Sequence, residues 1–174
     1  LGNNASPQVS GALFADVTTS VELPASAPAG SVVTVTVTFT NSAVGASAST
    51  ASAVVGTVTL SNGQVHTYTV GNLAPGASVT QTFTTTVPAA TGTSALSATS
   101  TVATATPESN TGNNSATDNL TVLFADPGVQ VNPIPSGTPG SSVTTSVSLS
   151  NNGSTTVTFT PQIVVNGVTT TLAP

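Results

Sequence analysis

Apolar and polar residues alternate with a period of two along most of the chain. In residues 31–40, SVVTVTVTFT, Val33, Val35, Val37 and Phe39 fall on one face, and Thr34, Thr36, Thr38 and Thr40 on the other. Such alternation among β-branched residues predicts a half-buried strand. The same pattern predicts strands over 14–23, 53–60, 64–70, 77–87, 94–105 and 115–124. Val79, Phe83 and Val87 point inward on one of these, Leu96, Ala98 and Val102 on the next, and Leu120, Val122 and Phe124 on the last. Asn62-Gly63, between TVTL and QVHTYTV, predicts a two-residue hairpin turn in which both residues take positive φ, and Asn166-Gly167 predicts another. Pro24, Pro28, Pro75-Gly76 and Pro88 punctuate the remaining junctions. No segment has helical periodicity.

The pattern repeats. GNN at Gly2–Asn4 returns at Gly112–Asn114, and LFAD at Leu13–Asp16 returns at Leu123–Asp126. Gly30-Ser31 returns as Gly140-Ser141 and Asn41 as Asn151, each pair 110 positions apart. In the second copy Val143, Val147 and Leu149 repeat the alternation of 31–40, with Thr145 in place of one valine. A fixed period of this size marks a domain array whose unit is one sandwich.

About seven strands over 13–124 predict an all-β, Ig-like antiparallel β-sandwich. Residues 125–174 supply the first three to four strands of a second, partial repeat. Leu172–Pro174 there matches Leu73–Pro75, with a loop-scale deletion before it. At about 50 residues without a disulfide, half a sandwich should not hold together alone. Residues 1–12 correspond to the end of a preceding repeat, so the chain is cut out of phase with its own period.

Composition narrows the function. There is no Lys, Arg, Cys, Met or Trp, and the net charge is −5. With no cation to neutralise phosphate, nucleic acid is excluded as a partner, as is polybasic attachment to anionic lipid. No apolar run is long enough to span a bilayer. Lys–Asn isopeptide and Cys thioester cross-links, which need the missing residues, are excluded too. Disorder is a poor account of a chain whose valines alternate in register.

SATSTVATATPESNTGNNSATDNLTV at 97–122 resembles the closing segment of bacterial and archaeal cell-surface Ig-like repeats, especially the CARDB type, a cell-adhesion-related domain. The residues that carry the likeness are Glu108, Ser109, Asn110, Asn113 and Asn114, followed by Leu120 and Val122. NLAPGASVTQTFTTTVP at 72–88 resembles the family's mid-domain turn and strand, and VTVTFTN and VSLSNNG its second strand. The resemblance implies the sandwich fold and an extracellular, cell-surface location, without specifying a ligand.

The chemistry of individual side chains is sparse. His66 shares a strand face with Tyr68, and one His with five scattered acids does not make a catalytic set, so no enzyme is expected. Asp16 and Asp126 occupy equivalent places at the start of the two units, with Glu108 and Asp118 in the closing region of the first. Calcium is the one metal this oxygen chemistry would suit, although six to eight ligands are needed and no loop spacing supplies them. The simpler role is a turn-forming Asp at a strand end, and no cofactor is expected. Asn4, Asn113, Asn119 and Asn152 begin N-glycosylation patterns, Asn119 within a strand.

Edge strands are usually guarded by Lys, charge or Pro, and this chain has little to guard them with. Together with the phase of the ends, this leads to one expectation: a structural subunit of an extracellular filament or surface layer. In it, residues 1–12 of one copy would complete 125–174 of the next by strand addition. Two alternatives stand beside it. The chain is an excerpt of a longer tandem-repeat adhesin or stalk, or it is a surface module that binds carbohydrate or protein through its loops.

Overall fold

The computed structural model describes residues 11–90 and 92–171. The first part of the chain forms eight strands: β1 (Val17–Glu22), β2 (Ser26–Pro28), β3 (Val32–Asn41), β4 (Ala51–Leu60), β5 (Val65–Leu73), β6 (Ser78–Thr86), β7 (Ser94–Ala103) and β8 (Ser115–Leu123). They build two sheets, one in the order β1-β3-β6 and one in the order β2-β8-β7-β4-β5. Alternation sends Val33, Val35, Val37 and Phe39 of β3 into the space between the sheets. There they meet Val54 and Val58 of β4, Leu96 and Ala98 of β7, and Leu120 and Val122 of β8. Phe39 lies directly over Gly56, where a Cβ would collide with its ring. A glycine in mid-strand, which weakens a strand in isolation, here makes room for the largest buried side chain.

The predicted strand 14–23 is in fact divided. Phe14 and Ala15 make only single bridges, to Ala48 and Glu108, and regular pairing starts at Val17. After Leu23 the chain leaves the first sheet. β2 then pairs in parallel with β8 in the second. The switch is fixed by Asp118, whose carboxylate accepts the Leu23 N–H at 2.8 Å, next to a proline that cannot continue a ladder. This raises the strand number from about seven to eight.

The two Asn-Gly turns differ. Asn166 (φ 48°) and Gly167 (φ 81°) form the expected two-residue turn with both residues at positive φ. At Asn62-Gly63 only Gly63 has positive φ. The loop is one residue longer, closed by Leu60 N–H to the Gln64 carbonyl at 2.9 Å. Asn62 is held instead by its side chain, which accepts the Gln64 N–H and donates to the buried Thr85 hydroxyl of β6 at 2.9 Å. That tie across the sandwich outweighs the local preference for the tighter turn.

Ala53, in the irregular start of β4, has φ 50°. An alanine held there costs about 1–2 kcal/mol, while glycine adds unfolded-state entropy of about 0.4–1 kcal/mol. Ala53→Gly should therefore stabilise the protein by about 0.5–1 kcal/mol in denaturant titration. A loss of stability would show that the bulge is not strained.

The later residues form two hairpins: β9 (Pro127–Val131) with β10 (Val147–Asn151), and β11 (Gln162–Val165) with β12 (Val168–Thr171). β9 and β10 reproduce the register of β1 and β3. Val21 pairs with Val37 and Val131 with Val147; Val17 pairs with Asn41 and Pro127 with Asn151. The repeat seen in the sequence is thus also a repeat of backbone pairing.

Candidate functional site

Each repeat starts at a junction organised by one asparagine. Asn41 is fully buried, and its side chain makes four hydrogen bonds. Its amide oxygen accepts the N–H groups of Asp16 (3.2 Å) and Ala43 (3.3 Å), and its amide nitrogen donates to the carbonyls of Ser49 and Leu73, both at 2.9 Å. The Ser42 N–H returns to the Asp16 carbonyl at 2.7 Å. Asn151 repeats this arrangement. It accepts the N–H groups of Asp126 and Gly153, both at 3.0 Å, and donates to the Thr155 carbonyl at 2.6 Å. The Asn152 N–H returns to the Asp126 carbonyl at 3.0 Å. An isolated Asn at the end of an alternating run carries a weak sequence signal, and its 110-residue recurrence is what marks it.

In the first repeat the closing segment locks onto this junction. The Asn113 amide donates to the Asp16 carboxylate at 2.9 Å, and the Asn114 amide to Glu108 at 2.9 Å. The other Glu108 oxygen accepts the Val17 N–H at 3.1 Å. The amide oxygens of Asn113 and Asn114 are buried without a partner among the described residues. Asp16 and Glu108 are thus brought together. Asp118 lies in the middle of β8, tied to Leu23, and Asp126 belongs to the next junction. Among the described residues no three His, Cys, Asp or Glu side chains converge on one point.

Of the glycosylation candidates, Asn152 is exposed directly after β10 and Asn119 is exposed on β8. Asn113 has its amide engaged by Asp16, and Asn4 lies outside the described residues. His66 stacks on Phe83 with ring centroids 3.8 Å apart, where β5 and β6 border the open side of the sandwich. Tyr68 shares this half-buried face, and burial pushes its phenol pKa upward.

The most distinctive surface lies on β9 and β10. In the first repeat, Val21 and Phe39 are 6% and 0% exposed beneath the second sheet. Their 110-residue counterparts Val131 and Leu149 are 60% and 38% exposed, and Val129 beside them is 70% exposed. A cavity of about 250 Å³ opens among Val131, Ile134, Val147, Ile163 and Val165. Val131 belongs to both, so the exposed side chains and the cavity form one apolar surface among the described residues. The alternating pattern alone could not show which copy of the repeat leaves its inner face uncovered.

The family model that matches the chain is CARDB, over residues 14–118. A solution structure of a CARDB domain from Pyrococcus furiosus is similar at 20% identity and a TM-score of 0.52, covering 63% of this chain and 96% of that one. A crystal structure of the same archaeal domain, in complex with di-metal ions, is similar at 21% identity and a TM-score of 0.52, covering 67% and 97%. At this identity the likeness shows the fold. No curated protein matches the chain. Among the described residues no helix is long and apolar enough to cross a membrane.

Proposed function

The chain belongs to the CARDB family of cell-adhesion-related domains, and from that premise we propose that it is a structural subunit of an extracellular filament or cell-surface assembly. Copies join head to tail by β-strand complementation, in the service of adhesion or of biofilm or sheath architecture. The observation that carries this reading is the β9–β10 face. It repeats the register of the first sandwich, yet the positions buried there stand open here.

The energetics favour a strand over a flat contact. Covering Val129, Val131 and Leu149 is worth roughly 1.5–3 kcal/mol each. Association costs on the order of 4–15 kcal/mol, so the side chains alone only approach balance. An added strand contributes main-chain hydrogen bonds and fills the neighbouring cavity as well. A head-to-tail contact that does not close into a ring extends into a filament.

A second reading is supported by the direct connection between the repeats. Phe124 bonds through its carbonyl to the N–H groups of Ser154 (2.8 Å) and Thr155 (3.0 Å), so no spacer separates them. In a tandem-repeat adhesin or stalk, later residues of the same polypeptide would cover the open face. The intact mass of native material separates the two readings. A subunit gives a mass near 16.7 kDa apart from any glycan, and sediments as a polymer. A far larger polypeptide would overturn the subunit reading in favour of the array.

The archaeal CARDB domain with di-metal ions raises the question of a metal here. Asp16 and Glu108 form the nearest arrangement, but Asn113, Asn114 and Val17 already donate to their oxygens. These residues do not fit a resident metal, and none is assigned.

A further inference from the structure

An unpaired strand edge accepts another strand unless charge, proline or irregularity blocks it. Among the described residues the first sandwich has four such edges, and three are blocked. β1 follows Asp16 and ends in Glu22. β2 is three residues long and contains Pro28. β5 is bent by two register shifts against β4 and by Gly71 at φ 86°. β6 is different. It pairs with β3 over nine consecutive residues without a shift, and it contains neither proline nor charge.

The β3 ladder decides which backbone groups this edge offers. The Val87 N–H bonds to the Ser31 carbonyl and the Asn41 N–H to the Ala77 carbonyl, so odd-numbered positions of β6 face β3. Antiparallel bonding alternates, and Ser78, Thr80, Thr82, Thr84 and Thr86 therefore direct their N–H and C=O groups to the open side. Thr82 is the middle one of the five. Two copies of β6 laid antiparallel about Thr82 pair all five positions, Ser78 with Thr86 and Thr80 with Thr84.

The side chains agree with this pairing on both faces. On the outer face it extends the hydroxyl ladder already formed by Thr38 with Thr80 (2.9 Å) and Thr40 with Ser78 (2.8 Å). On the inner face Gln81 of one copy falls beside Phe83 of the other, and the stacked His66–Phe83 pair is covered. Charge points to the same occupant. The chain has no Lys or Arg, and no acid lies between Glu22 and Glu108. Two such chains meet without repulsion only where neither presents a carboxylate, and the β6 edge is such a place. In the row of Thr82 the acid is Glu22, two strands away beyond Thr36.

We propose that the β6 edge is a lateral docking surface for a second copy of this chain. The two strands pair antiparallel about a two-fold axis at Thr82 and join two three-stranded sheets into one of six strands. The contact is isologous and closes on itself, so it goes beyond head-to-tail joining and does not depend on it. Where both operate, it binds neighbouring filaments side by side.

Sedimentation of the full chain tests this, in a Val131→Asp background that silences the head-to-tail contact. The expected species is a dimer. Thr82→Pro deletes an outward N–H and spares the β3 ladder, so it should weaken the dimer roughly tenfold or more. Thr82→Asp and Thr82→Lys each set like charges opposite one another and should weaken it roughly threefold. An equimolar mixture of these two variants should associate more tightly than either alone, because unlike charges then face each other. A chain that stays monomeric up to about 1 mM, a dimer indifferent to Thr82→Pro, or a mixture no stronger than its components overturns the proposal. None of these results bears on head-to-tail joining, which is silenced in every sample.

Discussion

Gly56→Val is expected to cost the first sandwich about 3–5 kcal/mol, out of the 5–15 kcal/mol typical of a domain. The added Cβ would occupy the space of the Phe39 ring, which is fully buried between the sheets. β4 cannot retreat, because it is paired on both sides, with β5 and β7. The ring must therefore leave its place, and with it goes most of the burial energy of the largest core side chain. Phe39→Ala alone should cost about 3–5 kcal/mol by opening a cavity. The double variant discriminates between the causes. With the ring gone the valine fits, so the two losses should fall short of additivity by at least about 1 kcal/mol. Additive losses in urea titration would mean that Phe39 and Gly56 are not packed as described.

Val131→Asp is expected to abolish assembly while leaving the first sandwich intact. Val131 is exposed in the single chain, so a carboxylate there is solvated and harmless to the fold. In the complemented state it would lie where Val21 lies in the first repeat, in contact with closing strands and without a cation in the sequence to pair with it. An unpaired buried charge costs several kcal/mol, so the critical concentration should rise by more than about a hundredfold. Thermal unfolding of the 11–124 sandwich should not shift, because none of its side chains changes. Retained assembly would show that the β9–β10 face is not the joint.

Much of this architecture was legible in the residues. Alternation found the long strands because each is buried on one face, and for β3 it named the inward residues Val33, Val35, Val37 and Phe39 correctly. It overran at 14–23, where local alternation cannot reveal a change of sheet. That depends on Asp118, 95 positions away from Leu23. It misjudged Asn62 for a similar reason, since Thr85 lies 23 positions on. The acids at Asp16 and Glu108 were visible as candidates. Their common purpose, holding a closing segment to an opening one, depends on side-chain hydrogen bonds that span 91 and 97 positions. The open face on β9 and β10 was legible only as a repeat, because exposure is decided by what covers a strand rather than by its own pattern.

In the proposed assembly the open face of one copy is covered by the N-terminal segment of another. Electron cryo-microscopy of assembled native material, at a resolution that traces strands, tests it most directly. The expected result is a strand carrying residues 1–12 of a neighbouring copy, lying against Val129, Val131 and Leu149. A face left open to solvent in the assembly, or covered by later residues of the same polypeptide, would contradict it.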